Sequence, residues 1–340
     1  MERTIKNVGK EWLMIISKTP LRCSFAGGGS DLPSFYEKQA GAVVSTAIDK
    51  YMYIAVNKRF EDSIRVSYSI TEIVKRPEEL KHELAREALL FLGIKKGIEV
   101  VSVADIPGKG TGLGSSSSFT VGLLNALHAY RGEQVSAKEL AEEACHIEIE
   151  RCKKPIGKQD HYAVAYGNFN YIQFNPGGSV FVNPIICKKE TRQKLQENLM
   201  MFYTGMTRSS GVILKKQSKG IRSSTYKRKI LSQMVMLAGK MRISLESNNL
   251  DRFGELLHEN WELKKKLAEG ISNTEIDQWY KMARENGAVG GKILGAGGGG
   301  FLLLYAPQER HKGIIEALPE LRHTPFRFEP EGSKIIYFGD

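Results

Sequence analysis

The stretch Pro107-Gly108-Lys109-Gly110-Thr111-Gly112-Leu113-Gly114-Ser115-Ser116-Ser117-Ser118 decides how this chain is read. Before it, residues 99–104 are rich in valine and read as a strand. After it, Phe119, Leu123, Leu124 and Leu127 recur at helical spacing through 115–130. A strand, a glycine loop and a helix in that order form a cradle for an anion. Residues without Cβ let backbone N–H groups turn inward and approach a ligand closely. The helix N-terminus adds free amides and the positive end of the helix dipole. The serine hydroxyls can reach phosphate oxygens or a phosphate-bound Mg²⁺. No G-K-[ST] follows at the spacing of a Walker A loop, and the pattern is not G-x-G-x-x-G. The plain alternative is a flexible Gly/Ser loop with no ligand, against which its place between strand and helix argues.

Two further glycine loops flank this one in sequence. Gly295-Ala296-Gly297-Gly298-Gly299-Gly300 fits G-x-G-x-x-G, but a strand-like run at 301–305 follows where a dinucleotide-binding fold needs a helix. Its backbone is expected to pass close to a bulky neighbour, either another loop or a substrate, or to serve tight packing alone. Near the start, Ala26-Gly27-Gly28-Gly29-Ser30-Asp31 follows Arg22. An Asp on such a loop can accept hydrogen bonds from sugar hydroxyls, and is equally a common turn residue.

Around these loops the pattern is α+β, with strands and helices partly segregated. Strands are expected at 14–16, 42–48, 51–57, 64–68, 99–104, 169–174, 198–203, 301–305, 325–329 and 334–338. Helices are expected at 81–92, 115–130, 211–247 and 250–268. Another starts at Ser136, where Ser136 and Glu139 form a capping-box pattern. The 340 residues suffice for a large core, and a soft boundary near 190 divides the chain into 1–190 and 191–340.

Composition excludes several classes. Four cysteines with no C-x-x-C spacing and scattered histidines give no disulfide framework or zinc site. The apolar run at 12–16 is too short for a signal peptide or a membrane span, so a cytoplasmic protein without a membrane partner is expected. Net charge is +11, and residues 205–245 carry ten Lys/Arg and no Asp/Glu. That suits an anionic ligand or a solvated helix face. It lacks the interleaved aromatics of a nucleic-acid platform, so no nucleic-acid partner is expected.

Three glycine loops at the start, middle and end of one chain resemble the GHMP small-molecule kinases. The central family motif, P-x-x-x-G-L-G-S-S, is matched by Pro107 and by Gly112-Leu113-Gly114-Ser115-Ser116, with Lys109-Gly110 as an extra pair. Within that superfamily PLRCSFAGGGSDLP (20–33), PIGKQDHYA (155–163) and GGKILGAGGGGFLL (290–303) resemble the D-glycero-α-D-manno-heptose 7-phosphate 1-kinases of bacterial glycoconjugate synthesis. Galactokinases carry G-E-H-x-D-Y at the first loop, which this chain lacks. Fucokinase-like sugar kinases share parts of the pattern.

The resemblance implies a two-lobed α+β fold, an S5-domain-2-like N-terminal lobe with a ferredoxin-like C-terminal lobe. It implies that residues Pro107 to Ser117 wrap the phosphates of ATP, with Mg²⁺ as second cofactor. Ser116 would reach the Mg²⁺ with a helical Glu, Glu150 as the better match and Glu148 as the fallback. Asp160 would orient or deprotonate the acceptor hydroxyl, and Arg22 would pair with it and stabilise charge on the phosphoryl group. Read without the family, Asp160 is a loop cap. The acceptor, a phosphorylated sugar, would meet Gly28, Gly29, Ser30, Asp31, Gly297 and Gly298. Its own phosphate would meet Thr207, Arg208 and Ser209, with Lys292 and Lys158 as weaker candidates. The lysines from 215 to 229 read as a solvated helix face. A non-catalytic sugar sensor would be expected to have lost Asp160, Arg22 and Ser116, all present here. Oligomeric state stays open, a homodimer included.

Overall fold

The computed structural model describes residues 14–106, 110–207 and 210–339. Chain order begins with a long antiparallel pair, β1 (Met14–Ala26) and β2 (Gly41–Lys58), joined through the short helix α1 (Pro33–Tyr36). Their ladder slips at Pro20, which has no N–H to give, and β1 continues past it carrying Arg22. The two strands expected at 42–48 and 51–57 are one strand. The charged pair Asp49-Lys50 stays extended, and Asp49 accepts a backbone hydrogen bond from Arg327 N.

The first sheet continues with β3 (Ile64–Ser67), β4 (Thr71–Val74) and β5 (Ile98–Ala104), with α2 (Glu83–Phe91) between β4 and β5. After β5 come α3 (Ser115–Tyr130), α4 (Ala137–Cys145) and α5 (Gln159–Tyr166), then β6 (Phe169–Phe174) and β7 (Val180–Pro184). Both halves of the expected capping box are made at the start of α4, Ser136 with Glu139. Beyond α4 the helix widens into a π-helical turn, His146–Arg151.

The second half opens with α6 (Lys189–Glu197) and β8 (Leu199–Tyr203). The expected helix 211–247 is two, α7 (Ser210–Ser223) and α8 (Thr225–Glu246), parted at Ser224, whose hydroxyl caps α8 at Lys227 N. Next follow α9 (Asp251–Lys265), α10 (Thr274–Glu285), β9 (Gly290–Ile293), β10 (Phe301–Tyr305) and α11 (His311–Ala317). The chain ends on β11 (Arg322–His323) and β12 (Lys334–Phe338). The strand expected at 325–329 is reduced to one bridge, Ile48 to Phe328. Pro325 and Pro330 deny it ladder donors, and its Phe326 and Phe328 are spent in the core instead.

Among the described residues the strands form two sheets. The first runs β12-β1-β2-β5-β3-β4, with β6 on the early part of β2 and β7 on β6. The second runs β11-β8-β10-β9 and is antiparallel. They divide near residue 190, except that β12 returns to the first sheet beside β1. Between them Leu21, Cys23, Phe25 and Val44 of the first sheet share one buried cluster with Met201, Phe301 and Leu303 of the second and Phe253 and Leu257 of α9. This is an α+β fold of two lobes with continuous packing between them.

Candidate active site

Gly114 ends the central loop in the left-handed region at φ +79° and stands at the N-cap of α3. The first-turn amides of α3, at Ser115, Ser116 and Ser117, have no partner within their own helix. Ser116 and Ser117 of that turn line a cavity of about 300 Å³. Gly110, Thr111, Gly112, Gly114, Ser116 and Ser117 line it from the loop side. Leu113 does not: its side chain is buried in the core, while its carbonyl accepts from Arg22 N at 3.0 Å. Ser115 is also buried, its hydroxyl 3.3 Å from that of Thr111. Pro107, Gly108 and Lys109 lie outside the described residues.

The C-terminal glycine loop closes the cradle from behind. A Cβ on Gly112 would stand 2.3 Å from the Leu294 carbonyl oxygen, and one on Gly295 would stand 2.6 Å from Gly112 Cα. One on Gly300 would meet the Thr111 carbonyl oxygen at 2.4 Å. The bulky neighbour anticipated for this loop is therefore the phosphate loop itself. Gly297 still lines the cavity, whereas Gly298 gives its amide to Ile271 O at 2.9 Å.

Arg22 joins the cradle to the opposite wall. Its Nε and Nη2 donate to Asp160 Oδ1 and Oδ2, each at 2.7 Å, and its Nη1 donates to Gly112 O at 2.6 Å. This is a planar two-pronged pair, the geometry for which a guanidinium is suited. Arg22 is 3% exposed at its side chain and Asp160 is 25% exposed, so the carboxylate is the more accessible partner of the pair. Asp160 sits in the first turn of α5.

Asp31 braces the first glycine loop to α5. Its Oδ1 accepts from Gly29 N and Gln159 Nε2, and its Oδ2 accepts from Gln159 N. Burial, and then the nearby Asp160, push its carboxyl above the usual range. Gly157 passes so close that a Cβ there would overlap Asp31 Oδ2. Gly29 and Asp31 line the cavity. Gly28 lies at its Lys264 side, where a Cβ would be 3.5 Å from Lys264 Nζ. Ser30 faces away: its hydroxyl exchanges hydrogen bonds with Ala42 in β2, which corrects its assignment to the acceptor.

The metal-ligand expectation changes as well. Glu150 is 67% exposed at its side chain and pairs with His146. Glu148 is fully buried and accepts from Ser116 Oγ at 2.6 Å, from Thr120 Oγ1 at 2.9 Å and from Lys154 Nζ at 2.9 Å. Residues two apart on a helix do not share a face, so only one of them can look at Ser116. Burial would raise the Glu148 carboxyl, but His161 and Lys154 together with the Ser116 bond outweigh it and hold it well below the usual range.

The remaining walls carry groups that the sequence reading missed. Lys264 of α9 donates to Gly295 O at 2.7 Å, and burial lowers its ammonium to about 8 despite Asp31. Gln217 of α7 lines the cavity too, buried with its Nε2 unpartnered and packed against Gly29, where a Cβ would stand 2.2 Å from it. Lys264 is one lysine in a lysine-rich helix and Gln217 one polar residue among many, so spacing alone does not mark them. Gln159 adjoins Asp160 in the quoted motif and could have been found there. Of the expected phosphate contacts, Thr207 is exposed and outside the cavity lining. Arg208 and Ser209 lie outside the described residues. Lys292 is buried against Ser24 O and Lys158 reaches Gly178 O, both away from the cavity lining.

Against known proteins, the GHMP kinases N terminal domain matches residues 74–168 and the GHMP kinases C terminal domain matches residues 241–322. The D-glycero-alpha-D-manno-heptose 7-phosphate kinase of Campylobacter jejuni subsp. jejuni serotype O:2 is 29% identical over 334 residues, covering 94% of this chain and 98% of that protein. The crystal structure of a putative sugar kinase from Campylobacter jejuni superposes with a TM-score of 0.76 at 27% identity, covering 96% of this chain and 98% of that one. A D-glycero-D-manno-heptose 1-phosphate kinase from Bacteriodes thetaiotaomicron shares the fold, with a TM-score of 0.78 at 23% identity over 96% of this chain and 100% of that one. With the three glycine loops meeting at one cavity and both halves of the chain matched, this protein belongs to the GHMP kinase family.

Proposed function

We propose that the chain transfers the γ-phosphoryl group of ATP to the anomeric hydroxyl of D-glycero-D-manno-heptose 7-phosphate, yielding the 1,7-bisphosphate for nucleotide-activated heptose synthesis. One observation carries the reading: Arg22 grips Asp160 with one edge and the phosphate loop at Gly112 O with another. The carboxylate that meets the acceptor is thereby fixed to the cradle that would hold the nucleotide. Phosphoryl transfer asks mainly for such positioning and for charge neutralisation. Asp160 orients the attacking hydroxyl and can take its proton, and an anomeric hydroxyl gives up a proton more readily than an ordinary alcohol. Arg22 lies where negative charge grows on the transferring group.

A divalent cation fits the far side of the cavity. The Ser116 hydroxyl and the Glu148 carboxylate are hard oxygen donors 2.6 Å apart, and the Lys154 ammonium already rests 3.0 Å and 2.9 Å from them. That pair therefore attracts a cation. Ser116 and Glu148 would hold Mg²⁺, which when bound neutralises the nucleotide's phosphates.

The heptose phosphate is supported by the relative's name and by the three motif segments rather than by the cavity alone. Release of ADP, followed over heptose 7-phosphate, free heptose, galactose and fucose, tests it. Turnover is expected with the phosphorylated heptose, and Asp160→Asn should lower it roughly a hundredfold or more. Turnover of a free hexose with none of heptose 7-phosphate would remove the substrate. Undiminished turnover by Asp160→Asn would remove the role of the carboxylate.

A further inference from the structure

A second groove opens beside the catalytic cavity and shares Leu32, Lys154, Pro155 and Ile156 with it. Its outer wall is α7, which contributes Lys215, Lys219 and Arg222 together with the hydroxyls of Ser218 and Ser223. The three cations are spaced four and three residues apart, so they share one helix face. No carboxylate lines the groove. Among the described residues Lys215, Lys219 and Arg222 form no ion pair, whereas their neighbour Lys216 points elsewhere and meets Glu269 at 3.9 Å. The face expected to be merely solvated is thus a concave, uncompensated cationic surface.

Its position fixes what it can serve. On the same helix, Gly211, Leu214 and Gln217 line the catalytic cavity. The cationic face begins within one helical turn of Gln217, ~5 Å. A sugar whose anomeric hydroxyl lies at Asp160 and whose body crosses Gly29 and Gln217 would bring its far end to this wall. The nucleotide's phosphates have their own cradle at the N-terminus of α3, which the groove approaches only through Lys154, 3.0 Å from Ser116 Oγ.

We propose that this groove receives a phosphomonoester at the end of the acceptor farthest from its reacting hydroxyl. Such a group carries nearly two negative charges at neutral pH and three strong acceptor oxygens. Lys215 and Lys219 supply point charges, Arg222 supplies a fork, and Ser218 supplies a hydroxyl donor, the Ser223 hydroxyl being given to Lys219 O at 3.0 Å. The proposal rests on a phosphorylated sugar being the acceptor.

Steady-state kinetics on the full chain separate the two ideas. Lys219→Met and Arg222→Met should each raise KM for heptose 7-phosphate about tenfold or more, and the double variant further, with KM for ATP within about twofold of the parent. Inorganic phosphate should compete with the sugar phosphate in the parent and lose potency in the double variant. Lys216→Met removes the same charge outside the groove and should change neither constant. If Lys216→Met matches the groove variants, a diffuse field is at work and the groove is refuted. A rise in KM for ATP instead would assign the cations to the nucleotide and overturn the proposal. Unchanged constants in a parent that uses heptose 7-phosphate would refute the groove while leaving the substrate intact. A parent that uses only unphosphorylated sugars would refute the substrate, and the groove with it.

Discussion

Glu148 and Glu150 differ by two positions and by opposite surroundings. Glu148 gathers Ser116, Thr120, Lys154 and His161 around a carboxylate with no exposure, while Glu150 pairs with His146 at the surface. Desolvation alone would expel such a charge, so its survival depends on those cationic and hydroxyl partners. A carboxylate held in its charged form beside a loop serine is suited to share a cation with that serine. Glu148→Gln should therefore raise the Mg²⁺ concentration for half-maximal activity roughly tenfold or more and lower kcat. Glu150→Gln should leave both within about twofold, since surface changes of this kind move little. Titration of Mg²⁺ against initial rate, with a thermal melt to control for folding, checks the pair. The reverse ranking of the two variants would return the metal to Glu150.

The glycine loops work as one device because two of them touch. Gly112 at φ +76° and Gly295 at φ +73° leave no room between the central and C-terminal loops for even a methyl group. Gly132 at φ +76° has open space around its would-be Cβ and so isolates the backbone cost. Gly132→Ala should cost about 1–2 kcal/mol, the usual penalty for an L-residue in that region. Gly295→Ala should cost more, because Gly112 Cα stands 2.6 Å away, and should raise KM for ATP several-fold by shifting the phosphate loop. Equal losses in stability, or an unchanged KM for ATP, would show that the loops do not brace each other. At this scale the sequence was a good guide wherever one signal acted alone. The 115–130 helix, the 169–174 and 301–305 strands and the capping box at Ser136 all stand where periodicity and cap chemistry put them. It misled where single proline or serine residues interrupted an unbroken apolar pattern. Pro325 and Pro330 turned an apolar, strand-like run into core-filling loop, and a single serine at 224 split a helix whose periodicity is unbroken. Within the site, Arg22, Asp160 and Ser116, which line one cavity with glycines of the three loops, were singled out through the family resemblance and not through spacing. Lys264, Gln217 and Lys154 were not, because their roles come from the distant elements they are packed against.

At the scale of the whole molecule, catalysis by this arrangement needs the lobes to hold still. The site takes Arg22 and Asp160 from the first lobe and Lys264, Gln217 and Gly295 from the second, so any hinge between lobes would open the cavity. The packing opposes that. Phe25 of β1 meets Phe253 of α9 edge-on at 5.3 Å and Phe169 of β6 at 5.5 Å, and α8 packs across both β1 and β2. Each large apolar side chain in that shared cluster would return about 1.5–3 kcal/mol of transfer free energy to water if the lobes separated. With many such residues involved, separation costs as much as a small domain's whole stability. The return of β12 to β1 adds a covalent tie, since the end of the second half completes the first sheet. The two lobes should therefore unfold together rather than in sequence. Trp261 is wholly buried in the second lobe and reports on it by fluorescence in a variant keeping that tryptophan alone, while Cys145 is buried in the first and reports by thiol reactivity in a variant keeping that cysteine alone. In urea both probes should give one midpoint, coincident with the loss of far-ultraviolet circular dichroism. An earlier midpoint for either probe would mean that one lobe survives without the other, and the rigid junction on which the site depends would have to be abandoned.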